Sequence, residues 1–181
     1  EVVTSSLNGS PKTEISGRLT HHCLPTWFRL FSTPISPSLV THLRSARCDV
    51  MQISFQNPMA AAAYLLAGPR GRLVVWYHHD VVRQKRLGRL LSPVLSRVLQ
   101  RADRIVATSA AYAASSSALA PFKDKTVVIP LGVDPAPLND PAEVSASKRI
   151  REECCLEGGP PLVLFVGRLV YYKGLSWLIE A

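Results

Sequence analysis

A repeated order of short apolar run, polar corner and longer helical stretch, from Cys48 onward, constrains the fold of this chain most. Four of the runs have the length and the β-branched or aromatic content of strands. They are Asp49 to Phe55, Leu73 to His78, Arg104 to Thr108 and Thr126 to Pro130. Because these runs alternate with helical stretches, the pattern predicts βαβ units. We therefore expect an α/β fold with a parallel sheet flanked by helices.

The corners after two of these strands carry helix-start signals. Asn57 is a good N-cap, Pro58 suits the first helical position, and the alanine-rich run Met59 to Ala67 is a strong helix former. Ser109 can cap a helix over Ala110 to Leu119 in the same way. Capping alone explains both residues, and both stand at the carboxyl end of a predicted strand.

The segment from Arg83 to Arg104 is the most amphipathic stretch of the sequence. Its leucines and valines recur at helical spacing, and seven basic residues occupy the remaining faces. Pro93 is expected to kink this helix or to divide it in two. The default interpretation of the basic faces is solvation, with a membrane-surface helix and a polyanion patch as alternatives.

The sequence on either side of this region is less regular. The first 43 residues mix short strand-like pieces with four prolines, and we expect one or two edge strands there. Further on, residues 130–141 indicate a linker, Ser147 to Leu156 a short helix, and Leu162 to Val166 a buried strand. The predicted organisation is a first domain over residues 1–134, a linker over 135–146 and the beginning of a second domain over 147–181.

Composition and charge limit the compartment and the partner. The four cysteines have no Cys-x-x-Cys spacing, which favours a reducing compartment. No run is apolar enough to predict a transmembrane helix. Subtracting 13 acidic from 21 basic residues gives a net charge of +8, which favours an anionic partner such as a nucleotide or a phospholipid surface. Nucleic acid is not expected, because the basic residues lack interleaved aromatic residues.

A row of candidate metal ligands occurs near the amino end. His21, His22 and Cys23 are consecutive, but the side chains of adjacent residues diverge. No second cluster in the sequence has the spacing of a metal site. The sequence therefore predicts no bound metal.

The sharpest local motif joins a strand, a glycine loop and a helix start. The run Leu162 to Val166 leads into Gly167 and Arg168, and Lys173 and Gly174 follow. Backbone N–H groups and two cations at one place suit a diphosphate. Arg168 can bind phosphate oxygens bidentately, whereas Lys173 supplies a mobile point charge. The alternative is that both cations are solvated loop residues.

Four segments in order resemble the nucleotide-sugar glycosyltransferases of family 4. They are Val74 to Gln84, Ala107 to Ser109, Val128 to Asp134 and Phe165 to Gly174. Ordered agreement over separated segments is more specific than any one of them. The resemblance runs, with gaps, from about Asp49 to Ala181.

The resemblance implies a GT-B architecture, in which two Rossmann-like domains face each other across a cleft. The chain would then hold a Rossmann-like parallel sheet flanked by helices, plus the first strand and helix start of a second Rossmann-like domain. The implied reaction is retaining transfer of a hexose, commonly mannose or glucose, from a nucleoside-diphosphate sugar to a sugar or lipid-linked acceptor in glycan or glycolipid synthesis. No cofactor and no obligatory metal are implied.

The resemblance also implies roles for single residues. Arg168 and Lys173 match the residues that bind the donor diphosphate and stabilise the leaving group, with Gly167 in the same loop. His78 matches a histidine that faces the reacting sugar, and its position after a strand agrees with ligand binding beyond the carboxyl ends of strands. The alternative for His78 is a corner histidine that hydrogen-bonds the backbone.

Asn57 and Ser109 are further candidate substrate-binding residues, because they share the sheet edge of His78. The neighbouring His79 and Asp80 have no assigned role. In line with the reducing compartment that the cysteines favour, we expect a cytoplasmic protein. Since many family members act on lipid-linked acceptors, we also hypothesise peripheral contact with the inner membrane face. Failure to bind anionic vesicles at low salt would remove that hypothesis.

The sequence departs from the family pattern in ways that favour a fragment. The family's first strand with its glycine-rich loop is expected before Glu1, and its pair of glutamates eight residues apart beyond Ala181. We expect the isolated chain to be catalytically inactive. Gln52 and Ser54 stand where relatives often have histidines, which mildly favours a non-catalytic basic binding module. Another nucleotide-using α/β enzyme would need a G-x-G-x-x-G turn, and the sequence has none.

Overall fold

The chain forms two compact units, Glu1–Leu131 and Gly132–Ala181. The structure is a computed structural model that describes residues 1–6, 10–30, 33–55, 57–78, 85–136, 140–153 and 163–181, without the side chains of 85–91 and 172.

The strands are β1 Val2–Ser5, β2 Lys12–Ser16, β3 Leu19–Leu24, β4 Phe28–Leu30, β5 Thr33–Ile35, β6 Val50–Phe55, β7 Arg72–Tyr77, β8 Arg104–Ala107 and β9 Thr126–Val128. The helices are α1 Ser38–Ser45, α2 Pro58–Ala67, α3 Lys85–Arg101, α4 Ala110–Ser115, α5 Pro141–Glu153 and α6 Leu175–Glu180. The predicted domain boundaries stay predictions.

A four-stranded parallel sheet forms the centre of the first unit. Its strand order is β6-β7-β8-β9, and every neighbouring pair is parallel. Helices α2 and α3 connect the first three strands, as the alternating sequence pattern predicts. The predicted Rossmann-like sheet flanked by helices is therefore confirmed.

The core lies between this sheet and its helices. Alternate side chains of β6 and β7 are buried, because successive residues of a strand point to opposite faces. In β8 three successive residues, Ile105 to Ala107, are buried. The fully or nearly fully buried members are Ile53, Phe55, Leu73, Val75, Tyr77, Ile105 and Ala107 from the strands, with Ala61, Tyr64, Val98 and Leu99 from α2 and α3. This apolar contact is the main stabilising interaction of the unit, at about 25 cal/mol per Å² of apolar surface removed from water.

The corner between α3 and β8 is fixed by polar contacts. The Leu73 N–H donates to Asp103 Oδ2 at 2.7 Å, and the Asp103 N–H donates to the Leu73 carbonyl at 2.8 Å. Lys125 Nζ donates to the carbonyls of Gln100 at 2.7 Å and Ala102 at 2.9 Å, where α3 ends. Partial burial lowers the pKa of Lys125, and the charge of Asp103 opposes that shift. These contacts satisfy carbonyls that a helix end leaves without intrahelical partners.

Both predicted caps form, although α4 is shorter than expected. Asn57 Oδ1 accepts from the Ala60 N–H at 3.2 Å, and Ser109 Oγ accepts from the Tyr112 N–H at 3.1 Å. Helix α4 ends at Ser115 instead of Leu119. The reason is local competition, because Ser116 is extended and its Oγ and carbonyl both accept from the Leu119 N–H.

Helix α3 runs through Pro93 as one helix. Of the two expected outcomes, the division is therefore wrong, and the kink stays a prediction. Val94 and Leu95 pack against the core, and Val98 is completely buried. This half of the helix confirms the predicted amphipathic face. Residues 83–84 and the side chains of 85–91 lie outside the described part.

The amino-terminal region is more structured than the sequence predicts. A three-stranded sheet has the order β1-β3-β2, with β1 parallel and β2 antiparallel to β3, and β4 and β5 form a separate antiparallel pair. The expectation of one or two edge strands was therefore wrong. These strands are only three to six residues long. The turn between β2 and β3 has two residues, and Gly17 in it has a φ of +58°.

The second unit differs from the expectations in two places. Helix α5 begins at Pro141 within the predicted linker, because Asp140 Oδ1 accepts from the Ala142 N–H at 2.8 Å and so caps the helix. Residues 163–166 form no strand, since the described residues of this unit offer them no hydrogen-bonded partner strand. Leu156 and Leu162 lie outside the described residues.

Candidate functional site

Three of the predicted site residues lie along one edge of the parallel sheet. Phe55 pairs with Tyr77, and Tyr77 pairs with Ala107, so β6, β7 and β8 end level with one another. Asn57, His78 and Ser109 follow these strand ends within two residues. The carboxyl edge of an open α/β sheet is where ligands commonly bind. The structure thus places these three candidates on the edge that the sequence predicts.

His78 is exposed and has a stacked aromatic neighbour. Its ring lies 6.0 Å from the Trp76 ring, centroid to centroid, with 14° between the planes. Trp76 Nε1 is buried and has no hydrogen-bond partner among the described residues. Since the His78 ring makes no hydrogen bond to another described residue, the alternative of a corner histidine bound to backbone finds no support there. His79 and Asp80 lie outside the described residues.

The side-chain oxygens of Asn57 and Ser109 are already engaged. Each accepts a hydrogen bond from its own helix, α2 or α4. Asn57 is half-buried and retains its amide N–H₂ group, whereas Ser109 is exposed. Their capping role is confirmed, and their role in substrate binding stays a prediction.

Stacked aromatic side chains pack together at the carboxyl ends of β6 and β7 and on α4. The Phe55 and Tyr77 rings lie 4.7 Å apart at 29°, and Tyr77 stacks on Tyr112 at 6.1 Å. Offset stacking of this kind adds about 0.5–1.5 kcal/mol to the burial of the rings. The sequence did not predict that Trp76 stacks on His78 or that Tyr112 stacks on Tyr77. The only available signal was an aromatic residue near a strand end.

The remaining predicted residues lie in a loop of the second unit. Arg168 and Lys173 are both exposed. The Arg168 carbonyl accepts from the Val170 N–H at 2.8 Å, and the Val170 carbonyl accepts from the Lys173 N–H at 2.9 Å. These bonds hold the two cations within one short, folded loop. The alternative, that they are solvated loop residues, stays open.

Two glycines shape the ends of this loop. Gly174 has a φ of +72°, which strongly favours glycine, and it precedes α6 directly. A Cβ at Gly167 would lie 3.3 Å from the Phe165 ring. A larger residue at Gly174 would therefore strain the backbone of the loop that carries the cations, whereas one at Gly167 would require the Phe165 ring to shift slightly.

Comparison with known proteins decides the family. The sequence model of Glycosyltransferase Family 4 matches residues 1–137. The chain belongs to glycosyltransferase family 4. The predicted membership is confirmed, and the match reaches residue 1, well before the segments that carry the resemblance. No solved structure matches the chain significantly.

Two curated relatives of this family 4 chain extend the comparison. The O-antigen chain mannosyltransferase C of Escherichia coli is 37% identical over 156 residues, which are 85% of this chain and 40% of that protein. The D-rhamnosyltransferase WbpZ of Pseudomonas aeruginosa is 35% identical over 182 residues, which are 99% of this chain and 46% of that protein. The chain thus spans less than half the length of these relatives. Among its described residues, no helix combines the length and apolarity needed to cross a membrane.

Proposed function

We propose that the protein carrying this chain transfers a manno-configured sugar from a nucleoside-diphosphate donor to an acceptor hydroxyl with retention. The observation that carries the proposal is the family match together with the two relatives, whose names specify mannose and D-rhamnose. Rhamnose is 6-deoxymannose, so both names specify one ring configuration. Of the two donor sugars that the family resemblance implies, mannose and glucose, the relatives therefore favour mannose.

The reaction exchanges one bond at the anomeric carbon. The bond from that carbon to the diphosphate oxygen breaks, and a bond to the acceptor oxygen forms on the same face. The proton of the acceptor hydroxyl passes to the departing diphosphate. The developing negative charge on the leaving group is therefore the part of the reaction that cations can stabilise.

The loop of the second unit supplies those cations. In the proposal, Arg168 binds the diphosphate oxygens through its planar guanidinium group, and Lys173 neutralises the charge that grows as the bond breaks. Both side chains are exposed, so a ligand in solvent can reach them, which supports this assignment. Gly167 leaves room for the diphosphate to approach the backbone.

The carboxyl edge of the first unit supplies the group that orients the sugar. His78 offers an imidazole N–H to a sugar hydroxyl, and stacking on Trp76 limits the directions in which the ring can point. Asn57 and Ser109 flank it with an amide and a hydroxyl. The proposed acceptor is a saccharide, free or lipid-linked. We also propose that the protein makes peripheral contact with an anionic membrane surface.

A donor panel tests the proposed function. The whole protein is incubated with the nucleoside-diphosphate forms of mannose, D-rhamnose and glucose and with a mannose-containing acceptor. We expect transfer from a manno-configured donor to exceed transfer from the glucose donor at least tenfold, since a pocket fitted to the axial hydroxyl loses a hydrogen bond to the epimer. NMR of the product gives its anomeric configuration.

Three results would contradict the proposal in whole or in part. Donor binding without transfer for every acceptor would favour a non-catalytic binding module, and an inverted product would remove the retaining mechanism. A preference for the glucose donor would leave the reaction class intact and overturn the choice of sugar.

A further inference from the structure

One carboxylate and two imidazoles meet on the three-stranded sheet, among residues that the proposed transfer does not use. Glu1 Oε1 lies 2.8 Å from His42 Nε2 and 3.3 Å from His22 Nε2. One ligand atom from each of the three residues lies within 4.8 Å of the others. The three atoms therefore surround one small volume.

Three elements of the fold bring these residues together. His22 lies within β3 opposite Val3 of β1. Glu1 precedes Val3 by two residues and so extends from the same face of the sheet. His42 comes from α1, and its ring lies 5.0 Å from the His22 ring at an angle of 55°. The cluster is a product of the tertiary fold, which explains why spacing in the sequence does not predict it.

The two histidine rings are partly buried, and a hydrogen bond to the second ring nitrogen fixes the orientation of His22. The side chains of His22 and His42 are 26% and 22% exposed, and that of Glu1 is 49% exposed. His22 Nδ1 is hydrogen-bonded to Thr13 Oγ1 at 3.1 Å. With the proton on Nδ1, the lone pair of Nε2 points to Glu1. Metal-binding histidines are typically held in this way by a hydrogen bond from the second ring nitrogen.

We propose that Glu1, His22 and His42 bind a Zn²⁺ ion. Two imidazole nitrogens and one carboxylate oxygen are ligands that zinc prefers, at about 2.0–2.2 Å from the ion, with water completing the coordination. The spacing of the three atoms fits an ion between them after small side-chain rotations. A bound ion would join the start of β1, the middle of β3 and α1, so the site stabilises the amino-terminal region and takes no part in sugar transfer.

The same strand supplies a matched control. His21 is next to His22 but lies on the other face, where its Nε2 is hydrogen-bonded to Thr4 Oγ1 at 2.7 Å. It lies near Glu14, whose carboxylate is 3.8 Å from His21 Nδ1. A His21→Gln variant thus removes a neighbouring imidazole without touching the proposed ligands.

Zinc binding is measured on the full chain by competition with a chromophoric chelator. We expect one Zn²⁺ per chain, at least tenfold weaker binding in His22→Gln and His42→Gln, and unchanged affinity in His21→Gln. Equal affinity in all four proteins, or no binding by the unchanged chain, would overturn the site. In that case Glu1 simply accepts hydrogen bonds from the two rings.

Thermal melting separates metal binding from damage to the fold. Zinc should raise the Tm of the unchanged chain and of His21→Gln, because a ligand that binds only the folded state stabilises it. It should not raise the Tm of His42→Gln or of Glu1→Gln, a variant that keeps the side-chain size. The Co²⁺ spectrum adds a ligand test, since thiolate charge-transfer bands would assign the metal to a cysteine such as Cys23 and contradict the proposal.

Discussion

His78 shows how much a single position depends on its surroundings. It is the first residue after β7, it is exposed, and its ring stacks on Trp76 two residues earlier. Because β7 ends at Tyr77, His78 lies at the carboxyl edge of the sheet. Stacking on the Trp76 indole restricts the orientation of the His78 ring. The proposed role in orienting the sugar thus depends on two residues, of which the sequence motif indicates one.

Replacing this imidazole should reduce the rate of transfer more than substrate binding. In the protein that carries this chain, we expect His78→Ala to lower kcat by about a hundredfold, in line with loss of one well-placed hydrogen-bond donor. The KM for the donor should change little. Steady-state kinetics with a manno-configured donor measures both constants.

The matched control for His78 lies on the same strand. Arg72 is exposed at the opposite, amino end of β7, so Arg72→Ala should leave kcat within about twofold of the unchanged protein. A loss of similar size in both variants would mean that the strand, rather than the imidazole, matters. That result would remove His78 from the mechanism.

At the scale of elements, the corner before β7 depends on Gly71. Its φ is +110°, and a Cβ built there would lie 2.3 Å from the Cys48 carbonyl oxygen. That distance is a steric overlap with backbone, which a side-chain rotation cannot relieve. The close approach positions Arg72, whose N–H donates to the Asp49 carbonyl at 2.9 Å beside the β6–β7 pairing.

Two glycine-to-alanine substitutions, at Gly71 and at Gly68, test this corner. Gly71→Ala should destabilise the first unit by about 2–3 kcal/mol or prevent folding, because backbone strain and overlap add. Gly68→Ala, at a φ of +57° with open space around it, should cost about 1 kcal/mol. Urea unfolding measures both values, and equal costs would mean that the overlap at Gly71 relaxes freely.

Across the whole molecule, local sequence signals predict the elements that depend on local chemistry. The parallel strands follow from apolar runs between helices, and the caps at Asn57 and Ser109 follow from the side chains themselves. The Asp140-Pro141 start of α5 uses the same signal as Asn57-Pro58 and could have been predicted. Elements that need a distant partner could not, because their stability depends on what they pair with.

The amino-terminal sheet is the clearest example of such dependence. Its central strand β3 pairs with β1 in parallel and with β2 in antiparallel orientation, so no simple hairpin pattern describes it. The Glu1, His22 and His42 cluster exists only after this sheet and α1 have formed. Likewise, residues 163–166 have the composition of a strand but no partner strand among the described residues, and composition alone does not make a strand.

In the proposed reaction, the loop that holds Lys173 neutralises the leaving diphosphate. The kcat of Lys173→Ala in the whole protein tests this role most directly. Lys148→Ala is the control, because Lys148 is an exposed cation on α5 of the same unit. We predict that kcat falls by about ten- to a thousandfold for Lys173→Ala, as for other charge-stabilising groups, and stays unchanged for Lys148→Ala. An unchanged kcat in Lys173→Ala would contradict the proposed mechanism.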